Sequence, residues 1–380
     1  MKILHLGKYA PPFFGGIENF MMDLGHSCVE QGHQVAAIVH HHDSKAPFEQ
    51  TTIDGVTIYR APCYGRLMFA PVSPSFGWHL NKVIDEFKPD VLHIHMPNTS
   101  AFFALWSSKA KLIPWVVHWH SDVLGDDSPW FLRTFYPFYQ PFEQAILQRA
   151  KKVIATSPPY LQTSRALQRF VDKSKVISLG IRKAPQKPTD NAVEGGPLQL
   201  LMVGRLTYYK GHSIAIEALH LLKQQGLANI HLTIVGSGEQ QESIEKLIAK
   251  YKLHEQVSLL GRVNEEGLHQ AFMNADCLCL PSIERTEAFG VVLMEAASYG
   301  IPAIVSYVPG SGMSWVVQHD KTGFVVKRSN PDALALAIKT LSQQPKRRQE
   351  FGVAALERFE QHFRIEKVAD ETIELYRSIK

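Results

Sequence analysis

The sequence predicts an α/β protein built from two doubly wound, parallel-sheet domains. Short apolar runs alternate with helical patterns through the first half and again through the second, as parallel strands joined by crossover helices require. Between the halves lies KAPQKPTDNAVEGGP at 183–197, poor in apolar residues and rich in the Pro, Gly, Asp and Asn of a linker. The length, 380 residues, exceeds what one hydrophobic core ordinarily serves.

In the first domain, 1–182, apolar runs at 3–6, 35–39, 91–94, 115–119, 153–155 and 176–179 read as strands. Apolar spacing near 3.6 residues reads as helices at 19–31, 80–87 and 142–150. In the second domain, 198–355, strands are expected at 198–203, 232–235, 257–259, 277–280, 303–305 and 324–326, and helices at 213–224, 240–250 and 331–341. The tail from Pro345 is one or two charged amphipathic helices, and 356–380 is expected to pack back on the first domain. Ligands of such sheets bind outside the carboxyl ends of the strands, so a cleft between the two domains is the expected site.

Composition narrows the function. The apolar fraction of 45% and charged fraction of 20% are those of a soluble globular protein. The net charge of +4 comes from residues before Lys183. It is too small to indicate nucleic acid but permits contact with an anionic membrane surface. The start, MKILHLGKYAPP, reads as a strand ending in a loop, not a secretory signal. No charge-free apolar window is long enough to span a bilayer. Cys28, Cys63, Cys277 and Cys279 form no Cys-x-x-Cys pair and read as buried apolar residues in a reducing compartment.

The most informative motif is TEAFGVVLMEA at 286–296. Glu287 falls in a loop before an expected helix start, and Glu295 more than one turn inside it. Between them, Phe289, Gly290 and Val291 offer unpaired backbone N–H groups, which attract anions. A ligand with hydroxyls at both ends and a diphosphate between them, such as a nucleotide-sugar, matches that layout. Gly204-Arg205-Leu206 and Lys210-Gly211 follow a strand and precede a helix. There Arg offers a fork and Lys a point charge to phosphate oxygens, although a solvated basic turn reads the same way. Gly236 opens a short glycine turn after another strand, weak alone. Arg262 and Val263 follow the next strand, where backbone could line a base. Gly15 and Gly16 precede a helix and permit positive φ and close approach of a phosphate.

His118 and His120 share one strand face, and His93 and His95 repeat the spacing. Zinc would require three or four defined ligands, and no acidic or Cys partner stands at ligand spacing. A neutral imidazole bonded to a sugar hydroxyl is the better reading. His40, His41 and His42 read as a polar loop closing a strand. The aromatic stretch 130–142, with Arg133 inside it, could touch lipid, but a core helix or packed lid is the more common arrangement. No Asp-x-Asp triplet occurs, so cations and helix starts would have to supply the positive field around a diphosphate.

Together these residues resemble the retaining glycosyltransferases of the family-4 type, with two Rossmann-like domains in the fold called GT-B. The resemblance runs nearly end to end, through GGIE, DVLHIH, VVHWHSD, SLGI, VGRLTYYKG, IVGSGE, LLGRV and LPSIERTEAFGVVLMEAASYGIPAIVS. The HWHSD form is most similar to bacterial mannosyltransferases of O-antigen and exopolysaccharide assembly. The resemblance implies that Glu287 binds donor-sugar hydroxyls and Glu295 the ribose diol. Phe289, Gly290 and Val291 would meet the diphosphate beside Gly204, Arg205, Lys210 and Gly236, with Gly15 and Gly16 approaching it from the first domain. His120 would stand near the donor sugar, and Arg262 and Val263 would line the base. Glu287, His120, Arg205 and Lys210 are thus the candidate catalytic groups.

It further implies a metal-independent enzyme without a cofactor. Its partners would be a GDP- or UDP-sugar donor and a lipid-linked or oligosaccharide acceptor, and not nucleic acid. It would work in the cytoplasm at the inner face of the membrane. Retaining glycosidases pair carboxylates about 5 Å apart. Two glutamates at opposite ends of a donor are no such pair, so front-face substitution is expected. The alternatives are a UDP-sugar transferase, a nucleotide-sugar epimerase and a non-catalytic binding scaffold.

Overall fold

The computed structural model describes residues 1–13, 15–67, 70–123, 130–185 and 196–379. They form two compact units, Met1–Arg182 with Phe363–Lys380, and Lys183–His362. The second unit ends at His362 rather than at 355, because helix Pro345–His362 runs unbroken through that position. Helix Ile365–Arg377 belongs to the first unit. Most of the 183–197 segment lies outside the described residues.

Among the described residues the first unit holds an eight-stranded sheet. Its order is Ser174–Val176, Lys152–Ala155, Trp115–Trp119, Val91–Met96, Lys2–Leu6, Gln34–Ser44, Val56–Cys63 and Glu49–Ile53. All pairs are parallel except the last, a hairpin closed by Asp54 and Gly55. Val91–Met96 and Trp115–Trp119 are buried at every position, as strands covered on both faces must be.

Several expectations need correction. The strand expected at 176–179 lies at Ser174–Val176, because its parallel partner Lys152–Ala155 ends at Ala155, whose carbonyl takes the last ladder bond from Ile177 N–H. His40, His41 and His42 lie within strand Gln34–Ser44, not in a loop. His40 is buried there, with Nδ1 on the Lys8 carbonyl and Nε2 on the Ser100 hydroxyl. The helix expected at 142–150 is Trp130–Arg149, and it takes in the aromatic stretch. That stretch is no core helix: Trp130 is 77% exposed, Phe138 73% and Phe135 54%. The inward side is filled instead by Ile146, Leu147 and Glu143.

The second unit is a six-stranded, all-parallel sheet among the described residues. Its order is Val257–Gly261, Ile230–Val235, Leu198–Val203, Cys277–Leu280, Ala303–Tyr307 and Gly323–Lys327. Leu200, Leu232, Ile234, Cys277, Cys279 and Ile304 pack in one core with Ile216 and Leu219 of helix His212–Gln224. Burial pushes the Cys279 thiol up to about 12, so these cysteines act as small apolar residues. Helix Glu265–Asn274, capped by the Asn264 side chain, was not anticipated. Strand order reverses beside Leu198–Val203, whose neighbours are Ile230–Val235 and Cys277–Leu280. Such a switch point is where doubly wound sheets open a crevice for ligands.

Candidate active site

The loops leaving the two switch-point strands of the second unit carry the predicted groups. After Val203 the chain turns at Gly204, with φ 144°. A short 3-10 turn, Tyr208–Lys210, then presents Lys210 before helix His212–Gln224. After Leu280 the second loop runs to Gly290, whose φ of 79° caps helix Val291–Ser298. The Ile283 N–H donates to the Tyr209 carbonyl at 2.9 Å, tying the loops together. A side chain at Gly211 would meet the Pro281 carbonyl at 2.1 Å.

Across this junction Lys210 Nζ lies 2.5 Å from Glu287 Oε2, the side chains only 14% and 11% exposed. Burial pulls the Lys210 ammonium down, but the Glu287 carboxylate outweighs it and the net shift is upward. Glu287 is held from behind: its carbonyl accepts the Ser311 hydroxyl at 2.5 Å, and Gly312 N–H donates to the next carbonyl, Ala288, at 2.7 Å. Glu295 sits half-buried inside helix Val291–Ser298, and Phe289 is buried just before Gly290. The predicted arrangement of a loop glutamate, a helix start and a second glutamate inside the helix is therefore present.

Arg205 is exposed at the lip of the same loop and lies close enough to Lys210 to oppose its charge. The glycine turn sits behind it. Gly236 has φ 140°, and a Cβ there would lie 1.8 Å from the Gly204 carbonyl. Leu206 N–H donates to the Ser237 carbonyl at 3.1 Å. Arg262 Nε donates to Ser237 Oγ at 2.7 Å, with Val263 following. The turn thus draws the ends of three adjacent strands together. Gly204 and Arg262 are held at this turn, and Lys210, beside Gly204, reaches from there to Glu287. Ser237, Ser282 and Ser311, not anticipated from sequence, line or brace the same loops; Ser282 is fully buried.

In the first unit the helix expected at 19–31 is Gly16–Glu30, starting three residues earlier with Gly15 as its cap. Neither Gly15 nor Gly16 uses positive φ: Gly15 is extended at −165°, and Gly16 is the first helical residue. A Cβ at Gly15 would fall 2.3 Å from Glu18 Oε2, so the Glu18 carboxylate would have to shift to accommodate it.

His120 lies just beyond strand Trp115–Trp119 and donates its N–H to the Met96 carbonyl at 3.0 Å. Asp122 steadies that strand end by accepting from Trp119 Nε1 at 2.8 Å and from Ser164 Oγ at 2.6 Å. The Phe20 ring, from helix Gly16–Glu30, meets His120 edge-on at 5.6 Å, so the helix start and the histidine share one corner of the unit. His120 belongs to a buried layer with His5, His93, His95 and His118, none more than 4% exposed. Burial drives all five to the neutral form, with His5 and His120 near 3.

Two triplets, His5–His93–His95 and His95–His118–His120, bring ring nitrogens within 4.8 Å, which raises the question of a metal. His118 and His120 stack at 4.2 Å and 4°, and His95 and His118 at 15°. Lone pairs in parallel ring planes do not converge on one ion as a tetrahedral site requires. Two pairs of nitrogens bond each other, His5 Nδ1 to His95 Nε2 at 2.9 Å and His95 Nδ1 to His120 Nε2 at 2.9 Å, while both ring nitrogens of His118 have no partner among the described residues. His5, which sequence reasoning missed, is neighbour to His93 in the parallel register.

The chain matches the family of glycosyl transferases group 1 over residues 184–358 and a glycosyl transferase 4-like domain over 15–180. It is 31% identical over 378 residues to the D-rhamnosyltransferase WbpZ of Pseudomonas aeruginosa, covering 96% of this chain and 92% of that one. It is 26% identical over 387 residues to the O-antigen chain mannosyltransferase C of Escherichia coli, covering 100% and 99%. The sucrose-phosphate synthase of Thermosynechococcus elongatus superposes with a TM-score of 0.78 at 22% identity, covering 99% and 98%. That likeness is one of fold, two Rossmann-like domains of the GT-B class.

Proposed function

Because the chain belongs to the glycosyl transferases group 1 family, we propose that it transfers mannose from GDP-mannose, with retention, to a lipid-linked oligosaccharide of a bacterial surface polysaccharide. The carrying observation is the Lys210–Glu287 pair seated on the switch-point loops, with Arg205 exposed beside it. A carboxylate next to a diphosphate is repelled unless it binds hydroxyls and cations neutralise the site. Glu287 therefore serves as a hydroxyl anchor for the sugar. Arg205 and Lys210, with the N–H groups of Gly290 and Val291, receive the charge that grows on the leaving diphosphate. His120 offers a neutral imidazole to the sugar. The donor anomeric C–O bond breaks as the acceptor oxygen bonds the same face. The acceptor proton passes to the departing diphosphate oxygen, so no protein base is required.

A second reading for the sugar follows from the relative named as a D-rhamnosyltransferase. D-Rhamnose is mannose without its 6-hydroxyl, and a site built to bond that hydroxyl would reject the deoxy sugar strongly. A UDP-sugar donor is the remaining variant.

The acceptor side is the aromatic face of helix Trp130–Arg149, which we assign to an anionic bilayer. Trp130, Phe135 and Phe138 are exposed, and Phe142 meets Trp106, itself 63% exposed, at 5.6 Å. Arg133 on this helix is an exposed cation. The helix's one carboxylate, Glu143, is buried. Aromatic rings with a flanking cation suit the headgroup level of a membrane.

The test is incubation with labelled GDP-mannose, GDP-D-rhamnose and UDP-hexoses, each with lipid-linked acceptor in anionic vesicles. Label entering the lipid from GDP-mannose is the expected result. An altered free nucleotide-sugar without transfer would instead indicate an epimerase, and tight binding without turnover a scaffold. Serine at 135 and 138 should release the protein from vesicles yet leave transfer to a detergent-soluble acceptor intact.

A further inference from the structure

His95 uses both ring nitrogens on other histidines, Nε2 on His5 and Nδ1 on His120, each at 2.9 Å. A neutral imidazole has one N–H and one lone pair, so His95 must donate to one neighbour and accept from the other. Only two proton patterns satisfy the chain, and they run in opposite directions. In the first, each ring carries its proton on Nδ1: His5 donates to His95, His95 donates to His120, and His120 Nδ1–H remains to be given away. In the second, each carries it on Nε2, and the spare N–H sits on His5.

The patterns differ only at their ends, His120 Nδ1 and His5 Nε2, both buried and without a hydrogen-bond partner among the described residues. A buried N–H with no acceptor is rarer than a buried lone pair with no donor, so the N–H belongs at whichever end a ligand can reach. His5 is wholly enclosed, while His120 lies at the carboxyl end of its strand, 4% exposed. The neighbouring His93 points the same way. Its Nδ1 meets the Tyr376 hydroxyl at 2.5 Å, and its Nε2 is unpartnered among the described residues. With the tyrosine donating, His93 carries its proton on Nε2, and its ring lies 5.0 Å from His5. His118, with both ring nitrogens unpartnered among the described residues, leaves one more orphaned N–H in this layer, and an N–H on His5 Nε2 would add a third.

We propose that His5 and His95 are positioning residues that hold His120 as an Nδ1–H donor, aimed at a hydroxyl or ring oxygen of the sugar. A chain of three neutral rings fixes which nitrogen of His120 carries the proton, and so the sense of the hydrogen bond it can make. What His120 touches rests on the transferase reading above; the tautomer does not.

The test is long-range ¹H–¹⁵N correlation NMR on the full chain with ¹⁵N-histidine, which separates the two tautomers. His120 is assigned from its loss in His120→Asn. The expected result is His120 protonated on Nδ1 in the free protein. In His5→Phe the pattern loses its anchor, and His120 should become a mixture of tautomers. His5→Asn restores a donor at the Nδ1 position and should restore the single tautomer. With an active donor and acceptor, kcat/KM should fall about tenfold in His5→Phe, the scale of one hydrogen bond, and recover in His5→Asn. An Nε2–H His120 in the wild type, or a His120 tautomer unmoved by His5→Phe, would overturn the proposal. The wild-type spectrum decides the tautomer even if His5→Phe fails to fold. Loss of transfer with every donor, alongside an Nδ1–H His120, would overturn the transferase reading and leave the relay standing.

Discussion

Glu287→Gln separates the two jobs assigned to the Lys210–Glu287 pair. At 2.5 Å the gross attraction is about 7 kcal/mol for an effective dielectric near 20. Desolvation of both groups cancels much of it, and cutting one partner of an enclosed pair costs about 3 kcal/mol. For a unit of this size that lowers Tm by roughly 6–12 °C. The sign for Lys210 reverses in the variant. With Glu287 its shift is upward, so its contribution is intact at neutral pH and is lost only above the ordinary lysine range. Without the carboxylate, burial and then Arg205 both act downward. Lys210 is then an uncompensated cation beside the diphosphate position, so GDP alone should bind more tightly, by about tenfold or 1.4 kcal/mol. Sugar transfer should fall by about 10²–10³, the scale of a lost transition-state contact. Calorimetric titration with GDP, a melting scan and a transfer assay measure the three effects. Weaker GDP binding would refute the reasoning, because it would make Glu287 part of the nucleotide grip and not the anchor of the sugar.

Other consequences are as direct. Arg205→Ala should lower kcat by about 10²–10³ with little change in Tm, since Arg205 is exposed; unchanged turnover in a single-turnover assay would remove it from the clamp. Gly236→Ala places a Cβ 1.8 Å from the Gly204 carbonyl at φ 140°, so the turn must open, and both Tm and donor affinity should drop. Burial raises the Glu143 carboxyl to about 7, against a weaker lowering by the Tyr136 hydroxyl. Its folded form therefore holds a proton that the unfolded form releases, and stability falls as pH rises from about 4.5 to 7. Glu143→Gln should accordingly gain about 2 kcal/mol over the wild type at pH 8 and nothing at pH 4, read by urea unfolding at the two pH values.

The parallel sheets were legible because their strands are short apolar runs closed by glycine turns. The Gly290 cap and helix Val291–Ser298 could be read from spacing alone, since a glycine between a polar loop and an apolar run has few other uses. The hairpin Glu49–Ile53 and Val56–Cys63 was missed although Asp54-Gly55 is a strong turn signal. Helix Glu265–Asn274 was missed although Asn264 and two glutamates mark its start.

Other features were not legible by local rules. His5 joins His95 across 90 residues, and only strand register brings them together. Ser311 reaches Glu287 from another loop. The exposed face of helix Trp130–Arg149 escaped because aromatics fall all around it, so periodicity could not mark the outward side.

Retention at the anomeric carbon is the step on which the proposed chemistry stands, and the one-bond carbon–hydrogen coupling of the product measures it. With GDP-α-D-mannose labelled at C1, the transferred residue should show the coupling of an α-mannoside. A β-linked product would contradict front-face substitution and require a base positioned behind the acceptor.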